Sequence, residues 1–209
     1  MPLAINVHGG GFVGGDADAL DTQSARLADE CGAVVVTVNY TKADVEPTSY
    51  GAQEREDAVL YFSRNADQYQ VDAARVFVIG YSAGAYYAEE SEELLQQNGF
   101  QFAGLILCYP WTTGLSASAL DGAHCPTLFE LAGQDPSSQN ARPYIESMGA
   151  AEIPIDVEEY DLVVHSFIES NNSERQMGAT TDMSDVINPE QEQLARQAEA
   201  RIADWIKAH

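Results

Sequence analysis

The chain has 209 residues, 45% of them hydrophobic, which is enough for a substantial core, and we expect residues 1–209 to form a single domain. Its 33 acidic residues against 10 Lys and Arg give a net charge of −23, which argues against nucleic acid and anionic membrane surfaces as partners. Neither a basic, apolar leader nor a run of ~18 apolar residues occurs, so the sequence predicts a cytoplasmic protein without membrane insertion.

Apolar, mostly β-branched runs alternate along the chain with longer segments of helical pattern. The predicted strands cover residues 3–7, 33–40, 76–79, 102–108, 127–132 and 153–160. The predicted helices cover 17–30 (capped by Asp16), 50–65, 83–97, 142–148 and a segment beginning at Pro189, whereas 109–123 is predicted as loop. This alternation predicts an α/β fold, a doubly wound and mostly parallel sheet of about six strands that binds ligands at the carboxyl ends of its strands.

The segment Gly80-Tyr81-Ser82-Ala83-Gly84 joins a predicted strand to a predicted helix and matches the G-x-S-x-G pattern of a nucleophile elbow. A strand that turns sharply into a helix holds its corner residue in a strained conformation, and the close approach of the flanking residues favours glycine. The Ser82 hydroxyl would then be exposed at the N-terminal end of the helix. The alternative is a tight turn without chemistry, in which the glycines serve the backbone alone.

A serine hydroxyl is a weak nucleophile, so Ser82 needs a histidine base and an acid that orients the base. Of the four histidines, His165 follows a predicted strand-and-loop unit at the carboxyl end of the sheet and is the preferred base. The other three have different expected roles. His8 supports the glycine-rich segment, His124 precedes a strand at the opposite end of the sheet, and His209 is the last residue.

Two aspartates are candidates for the acid that orients His165. Asp135 follows the predicted strand 127–132, whereas Asp161 lies four residues before His165 and could contact it locally. The chain order of nucleophile, acid and histidine that accompanies the elbow motif favours Asp135. Asp161 is then a turn residue.

A glycine-rich segment follows the first predicted strand. Residues 9–14 satisfy the G-x-G-x-x-G fingerprint of dinucleotide-binding proteins, but that fingerprint requires an acid after the second strand, where this chain has Asn39. In the hydrolase interpretation, Gly10 and Gly11 leave backbone N–H groups open to an oxyanion, and the N–H of Ala83 is the third donor.

Four motifs stand in order along the chain: HGGGF at residues 8–12, GYSAG at 80–84, GQD at 133–135 and HSF at 165–167. Together they resemble the hormone-sensitive-lipase branch of the α/β-hydrolase superfamily, which includes many bacterial carboxylesterases. The resemblance implies serine ester hydrolysis, with Ser82 as nucleophile, His165 as base and Asp135 as orienting acid. It further implies an oxyanion hole formed by the N–H groups of Gly10, Gly11 and Ala83, with His8 in a structural role.

Only seven residues precede His8, so compared with that branch the chain is expected to lack the first two strands and the helical cap. Without a cap, we expect an open, shallow pocket that favours short acyl chains. Its predicted walls are aromatic, formed by Phe12, Tyr81, Tyr109, Trp111 and Phe167. The missing strands would also leave the strand from Ala33 to Tyr40 as an exposed edge, which could support a homodimer.

The sequence therefore predicts a carboxylesterase-type serine hydrolase that acts on small, short-chain esters. An amidase or arylformamidase and a sugar deacetylase would use the same triad, and a non-catalytic binding protein on the same scaffold is the alternative outside the enzymes. The chemistry requires no metal or organic cofactor. The three cysteines stand at scattered spacings that match no metal site and are predicted to be small buried groups: Cys31, Cys108 and Cys125.

Overall fold

The computed structural model describes residues 1–115, 124–170 and 189–209. Within these ranges the strands are β1 (Leu3–Val7), β2 (Val34–Val38), β3 (Val76–Tyr81), β4 (Gly104–Cys108), β5 (Thr127–Ala132) and β6 (Ile155–Tyr160). They form one sheet in the order β2-β1-β3-β4-β5-β6, in which all neighbouring strands are parallel. The predicted doubly wound parallel sheet of about six strands is confirmed.

Helices connect the strands and cover both faces of the sheet. They are α1 (Asp21–Cys31), α2 (Thr48–Arg64), α3 (Ala66–Tyr69), α4 (Ala83–Gln97), α5 (Pro136–Ala150), α6 (Phe167–Ser170) and α7 (Pro189–Ala208). A short 3₁₀ helix, Ala17–Leu20, precedes α1. None of the described helices is long and apolar enough to cross a lipid bilayer.

Two helix starts differ from the prediction. Asp16 caps the 3₁₀ helix rather than α1, because its carboxylate accepts a hydrogen bond from the N–H of Asp18. The helix predicted to begin at residue 142 begins six residues earlier, at Pro136. Asp135 caps it, and a proline in the first turn has no N–H that would need a partner. Ser137, Ser138 and Asn140, which follow Pro136, have lower helix propensity, so the sequence pattern did not indicate this start.

The core consists of two apolar layers, one on each face of the sheet. One layer packs α1 and α7 against the sheet, with Trp205 and Ile202 of α7 buried in it, and the other packs α2, α4 and α5 against the opposite face. The central strands β3 and β4 are buried at every residue, as expected for a parallel sheet covered on both sides. The three cysteines are buried and unpaired, as predicted.

The order of strands places a crevice beside the elbow. From β1 the chain moves to β2 at one edge of the sheet, and it then returns to β3 on the other side of β1 and continues outward to β6. The order therefore reverses between β1 and β3, and such switch points form ligand-binding crevices at the carboxyl ends of strands. The glycine-rich segment follows β1 and Ser82 follows β3, so both lie at this crevice.

Candidate active site

Ser82 occupies the sharp corner between β3 and α4, with φ 55° and ψ −116°. A positive φ is strained for a residue with a Cβ, and here the surroundings hold it. The N–H of Ser82 donates to the carbonyl of Cys108 at 3.0 Å. A Cβ at Gly84 would lie 2.1 Å from the carbonyl oxygen of Val7, so only glycine allows α4 to pack this closely on β1. The corner thus presents the Ser82 hydroxyl at the start of α4.

His165 links Ser82 to Asp135 through its two ring nitrogens. Nε2 lies 2.8 Å from Ser82 Oγ, and Nδ1 lies 2.7 Å from Asp135 Oδ2. Because an ionised carboxylate can only accept, Nδ1 carries the proton and donates it, which leaves Nε2 to accept from the serine hydroxyl. The structure therefore brings the three predicted residues into one hydrogen-bonded chain. The rival acid, Asp161, is exposed in the turn after β6.

The environment of Asp135 favours its charged form. Its side chain is only 3% exposed, and this burial by itself raises the pKa. Hydrogen bonds from His165 and from the Ser137 N–H, at 2.9 Å, outweigh the burial and hold the pKa of Asp135 below its usual value. The side chain of His165 is 37% exposed, so solvent and small molecules can reach its ring.

The glycine-rich segment runs directly beside the elbow. A Cβ at Gly9 would lie 3.2 Å from the Cβ of Ser82. Gly10 has φ +125°, and a Cβ there would lie 2.2 Å from the carbonyl oxygen of Gly14, so this tight turn requires glycine. Within the described ranges, the backbone N–H groups of Gly10 and Gly11 donate to no backbone carbonyl. They remain open to a ligand oxygen near Ser82.

His8 is a neutral anchor of this segment. Its Nδ1–H donates to the carbonyl of Gly9 at 2.6 Å, its Nε2 accepts from Lys42 Nζ at 3.1 Å, and its ring stacks on Tyr40 with centroids 4.3 Å apart. Burial lowers the pKa of His8 to about 4, and the adjacent ammonium of Lys42 contributes in the same direction. Tyr40 OH donates to the carbonyl of His8 at 3.0 Å, which ties the segment to the end of β2.

A cavity of about 360 Å³ opens beside Ser82, a size that suits a small ligand. The glycine-rich segment and the 3₁₀ helix form one wall, and the stretch from His165 to Ser170 forms the other. The lining includes the carboxylates of Asp16 and Glu169, and none of the described lining residues is Lys or Arg. The charged side chains that line the cavity are therefore negative.

The aromatic walls predicted from the sequence require a correction. Tyr81 is 1% exposed and Tyr109 and Phe167 are 0% exposed, and none of the three lines the cavity. Tyr81 and Tyr109 lie at the ends of β3 and β4, which are covered on both faces, and Phe167, at the start of α6, packs on Tyr109. Phe12 packs edge to face on Trp111 and does not line the cavity, whereas Trp111 is 45% exposed and does.

Several residues of the site were not predicted from the sequence pattern. Glu169 lies one helical turn after His165, lines the cavity and accepts a hydrogen bond from Tyr109 OH. Tyr40 and Lys42 reach His8 from the end of the edge strand. Their position after the carboxyl end of β2, at the same side of the sheet as Ser82, is the one indication available from the sequence.

A sequence model of the alpha/beta hydrolase fold family matches residues 4–124, which is more than half of the chain. The chain therefore belongs to the α/β-hydrolase fold family. The matched region includes the glycine-rich segment and the elbow, so the family assignment rests on the part of the chain that surrounds Ser82.

Two proteins that are similar to this chain in sequence are named esterases. The chain is 24% identical over 211 residues to esterase LipI of Mycobacterium tuberculosis and 30% identical over 105 residues to an acetyl esterase of Salmonella choleraesuis. These matches cover 80% and 50% of this chain, but they span only 66% and 32% of the relatives' lengths.

Solved esterases share the fold over the whole chain. An esterase of Pyrobaculum calidifontis superposes with a TM-score of 0.82 at 22% identity, covering 100% of this chain and 77% of that one. The carboxylesterase EstE1, cloned from a metagenomic library, superposes with a TM-score of 0.81 at 20% identity, covering 100% of this chain and 80% of that one. At such identity these likenesses establish the fold.

Proposed function

We propose that the protein is a serine hydrolase that cleaves small, short-chain carboxylic esters, with Ser82 as nucleophile, His165 as general base and Asp135 as the acid that orients the base. The observation that carries the proposal is the continuous chain of hydrogen bonds from Ser82 Oγ through His165 to Asp135, at 2.8 and 2.7 Å, beside a cavity. The resemblance to named esterases in sequence supports it.

The reaction would follow from this geometry in two acyl transfers. His165 Nε2 accepts the proton of Ser82 as Oγ attacks the ester carbonyl, and the resulting imidazolium is stabilised by Asp135. Developing charge on the carbonyl oxygen meets the N–H groups of Gly10, Gly11 and Ala83. The imidazolium then protonates the departing alcohol, and a water molecule, deprotonated by His165, hydrolyses the acyl-enzyme.

The cavity favours small neutral or cationic esters over long or anionic ones. Its lining is mostly glycine, serine, histidine and carboxylate, with Leu20, Ala19 and Trp111 as its apolar part, so a long acyl chain would find little apolar wall. The carboxylates of Asp16 and Glu169 would repel an anionic substrate. Acetylated sugars and formyl amides remain candidate substrates because the same triad cleaves them.

Labelling with a fluorophosphonate, combined with a series of p-nitrophenyl esters from acetate to decanoate, tests the proposal. We expect Ser82 to be labelled, both labelling and hydrolysis to be lost in Ser82→Ala, and the highest kcat/KM at acetate or butyrate. Ser147→Ala, a serine on the outer helix α5, is the matched control that retains both. Labelling of Ser82→Ala at the wild-type level would refute the assignment of Ser82 as nucleophile. A maximum of kcat/KM at decanoate would refute the preference for short acyl chains.

We also propose that the outer edge of β2 pairs with a second copy of the chain. Within the described residues β2 pairs with β1 alone, and all five of its residues are partly exposed. Light scattering at increasing protein concentration should show a dimer that Val36→Lys, at the middle of the edge, converts to monomer. A monomer at all concentrations would contradict the pairing.

A further inference from the structure

A second cluster of ionisable side chains lies on α4, away from the cavity. Glu89 and Glu92 are three residues apart on this helix and therefore share a face. His124 and Cys125, which lead into β5, pack against them, with His124 Nε2 2.8 Å from Glu89 Oε1 and 4.0 Å from Glu92 Oε2. A ligand atom from each of Glu92, His124 and Cys125 lies within 4.8 Å of the other two.

The cluster is buried, which makes its composition unusual. The side chains of Glu89, Glu92 and His124 are 3%, 1% and 0% exposed. Buried carboxylates are costly unless they are paired or bind a metal. The Oε2 atom of Glu89 is buried and accepts no hydrogen bond from the described part of the chain. Its position on the carboxylate beside His124 leaves it available to a cation.

We propose that Glu89, Glu92, His124 and Cys125 form a structural site for one zinc-like divalent cation. Imidazole nitrogen, thiolate sulfur and carboxylate oxygen together are the ligand set of Zn²⁺, whereas Mg²⁺ and Ca²⁺ require oxygen alone. Bonds of about 2.0–2.3 Å to a tetrahedral ion place neighbouring ligand atoms about 3.5 Å apart. The ligand atoms of Glu92, His124 and Cys125 lie within 4.8 Å of one another, so movements of about an ångström bring these three to that geometry, and Glu89, beside His124, would supply the fourth ligand.

The surrounding contacts orient the ligands for this role. The Nδ1–H of His124 donates to the carbonyl of Cys125 at 2.8 Å, so Nε2 is the nitrogen that faces the carboxylates. A backbone carbonyl on the second nitrogen is the usual partner of a metal-binding histidine. Tyr144 OH of α5 donates to Glu89 Oε1 and so holds that carboxylate in place. The ion would connect α4, which starts at the elbow, to the start of β5.

The alternative arrangement is a simple ion pair. Without a metal, Nε2 needs a proton to donate to Glu89, and the hydrogen bond and charge of that carboxylate outweigh the effect of burial, raising the pKa of His124 to about 9. Burial and the nearby carboxylates raise the pKa of the Cys125 thiol well above its usual value. Binding of a cation to these two groups would therefore release protons.

Titration of chelator-treated full-length protein with Co²⁺, followed by absorption, tests the site. We expect one ion per chain and a thiolate-to-cobalt charge-transfer band. In Cys125→Ser the charge-transfer band should disappear. The affinity for Co²⁺ should fall by more than about 100-fold, which exceeds the loss typical of groups that only orient the ligands. Cys31→Ser, on the opposite face of the sheet, is the matched control and should keep both. No saturable binding, or a band that persists in Cys125→Ser, would overturn the proposal.

Two measurements keep the test valid if Cys125→Ser does not fold. Zn²⁺ added to wild-type protein in weak buffer should release protons with a stoichiometric end point, and it should raise the melting temperature. Glu92→Gln, which conserves shape and removes one charged ligand, should weaken Co²⁺ binding while leaving ester hydrolysis unchanged. Absence of proton release and of any thermal shift with Zn²⁺ would show a hydrogen-bonded ion pair only and would refute the metal site.

Discussion

Two histidines of this protein each pair with a buried carboxylate, but they differ in exposure and in what their second ring nitrogen contacts. The distances are nearly equal, 2.7 Å from His165 Nδ1 to Asp135 and 2.8 Å from His124 Nε2 to Glu89. The side chain of His165 is 37% exposed and that of His124 is 0% exposed. The second nitrogen of His165 faces the Ser82 hydroxyl, whereas that of His124 donates to a backbone carbonyl.

The two pairs differ in whether the imidazole faces a hydroxyl group beside a cavity. Both carboxylates fix the orientation of an imidazole, but only His165 has its second nitrogen directed at a serine hydroxyl next to a cavity. In the His124 cluster the same interaction joins a helix to a strand, and no described lining residue of the cavity belongs to it. A hydrogen-bonded histidine and acid therefore indicate an active site only together with access and a reacting atom.

The largest expected effect is a change in kcat, which should distinguish the His165–Asp135 pair from the His124–Glu89 pair. Asp135→Asn should lower kcat about 10⁴-fold, because the amide N–H₂ would donate to Nδ1 and leave Nε2 protonated, unable to accept the Ser82 proton. The circular dichroism spectrum should remain unchanged. Glu89→Gln, the matching change in the other cluster, should leave kcat within about twofold in the folded protein. A decrease of less than tenfold for Asp135→Asn would contradict the proposed role.

The second effect concerns stability. His124→Ala removes the cationic partner of Glu89 and leaves a buried carboxylate with Tyr144 OH as its remaining donor, so in chelator-treated protein the free energy of unfolding should fall by about 3–5 kcal/mol in urea titration. The double change His124→Leu with Glu89→Leu should recover much of this loss, because an apolar pair has no charge to bury. Equal stability of His124→Ala and wild type would show that the pair does not stabilise the fold.

The sequence predicts one of these regions and not the other. Ser82, Asp135 and His165 each follow a strand, and the elbow is a local pattern whose glycines are dictated by steric contact, so fold and candidate triad could both be predicted. The partners in the other cluster are 35 and 55 residues apart, from His124 to Glu89 and from Tyr144 to Glu89. An acidic run on a helix is more typical of a solvated surface than of a buried cluster.

The walls of the cavity were predicted poorly for a related reason. Tyr81 directly precedes Ser82, and Phe167 lies two residues after His165, so both are close to the site along the chain. Proximity along the chain does not tell which way a side chain points from a strand end. Both rings are buried in the core, Tyr81 at the end of β3 and Phe167 at the start of α6, and residues of the adjacent turns line the cavity instead.

The third expected effect is a loss of folding stability at alkaline pH. In chelator-treated protein the folded pKa of His124, about 9, lies above the unfolded value near 6.5, so the folded state binds more protons between these values. The contribution of protonated His124 to the free energy of unfolding is at most about 3 kcal/mol. It is fully present below about pH 6.5 and is lost as the pH rises through about 9. His124→Gln should flatten this slope in urea titrations from pH 6 to 10. An unchanged slope would assign the alkaline loss to another group, such as the buried Cys125 thiol, whose pKa is raised by burial and by the nearby carboxylates.

The last prediction concerns the loss of stability in acid, which has an upper magnitude similar to that of the alkaline loss and involves a histidine that no carboxylate among the described residues contacts by a hydrogen bond. Burial and Lys42 lower the folded pKa of His8 to about 4, so between pH 6.5 and 4 the unfolded chain binds more protons and stability falls as the pH falls. The loss should reach at most about 3 kcal/mol at pH 4, opposite in direction to that of His124. His8→Asn retains a donor toward the Gly9 carbonyl without titrating, so it should remove the slope while Ser82 labelling persists. If the variant shows the wild-type slope, protonation of His8 does not limit acid stability, and the cause lies with the carboxylates around the site.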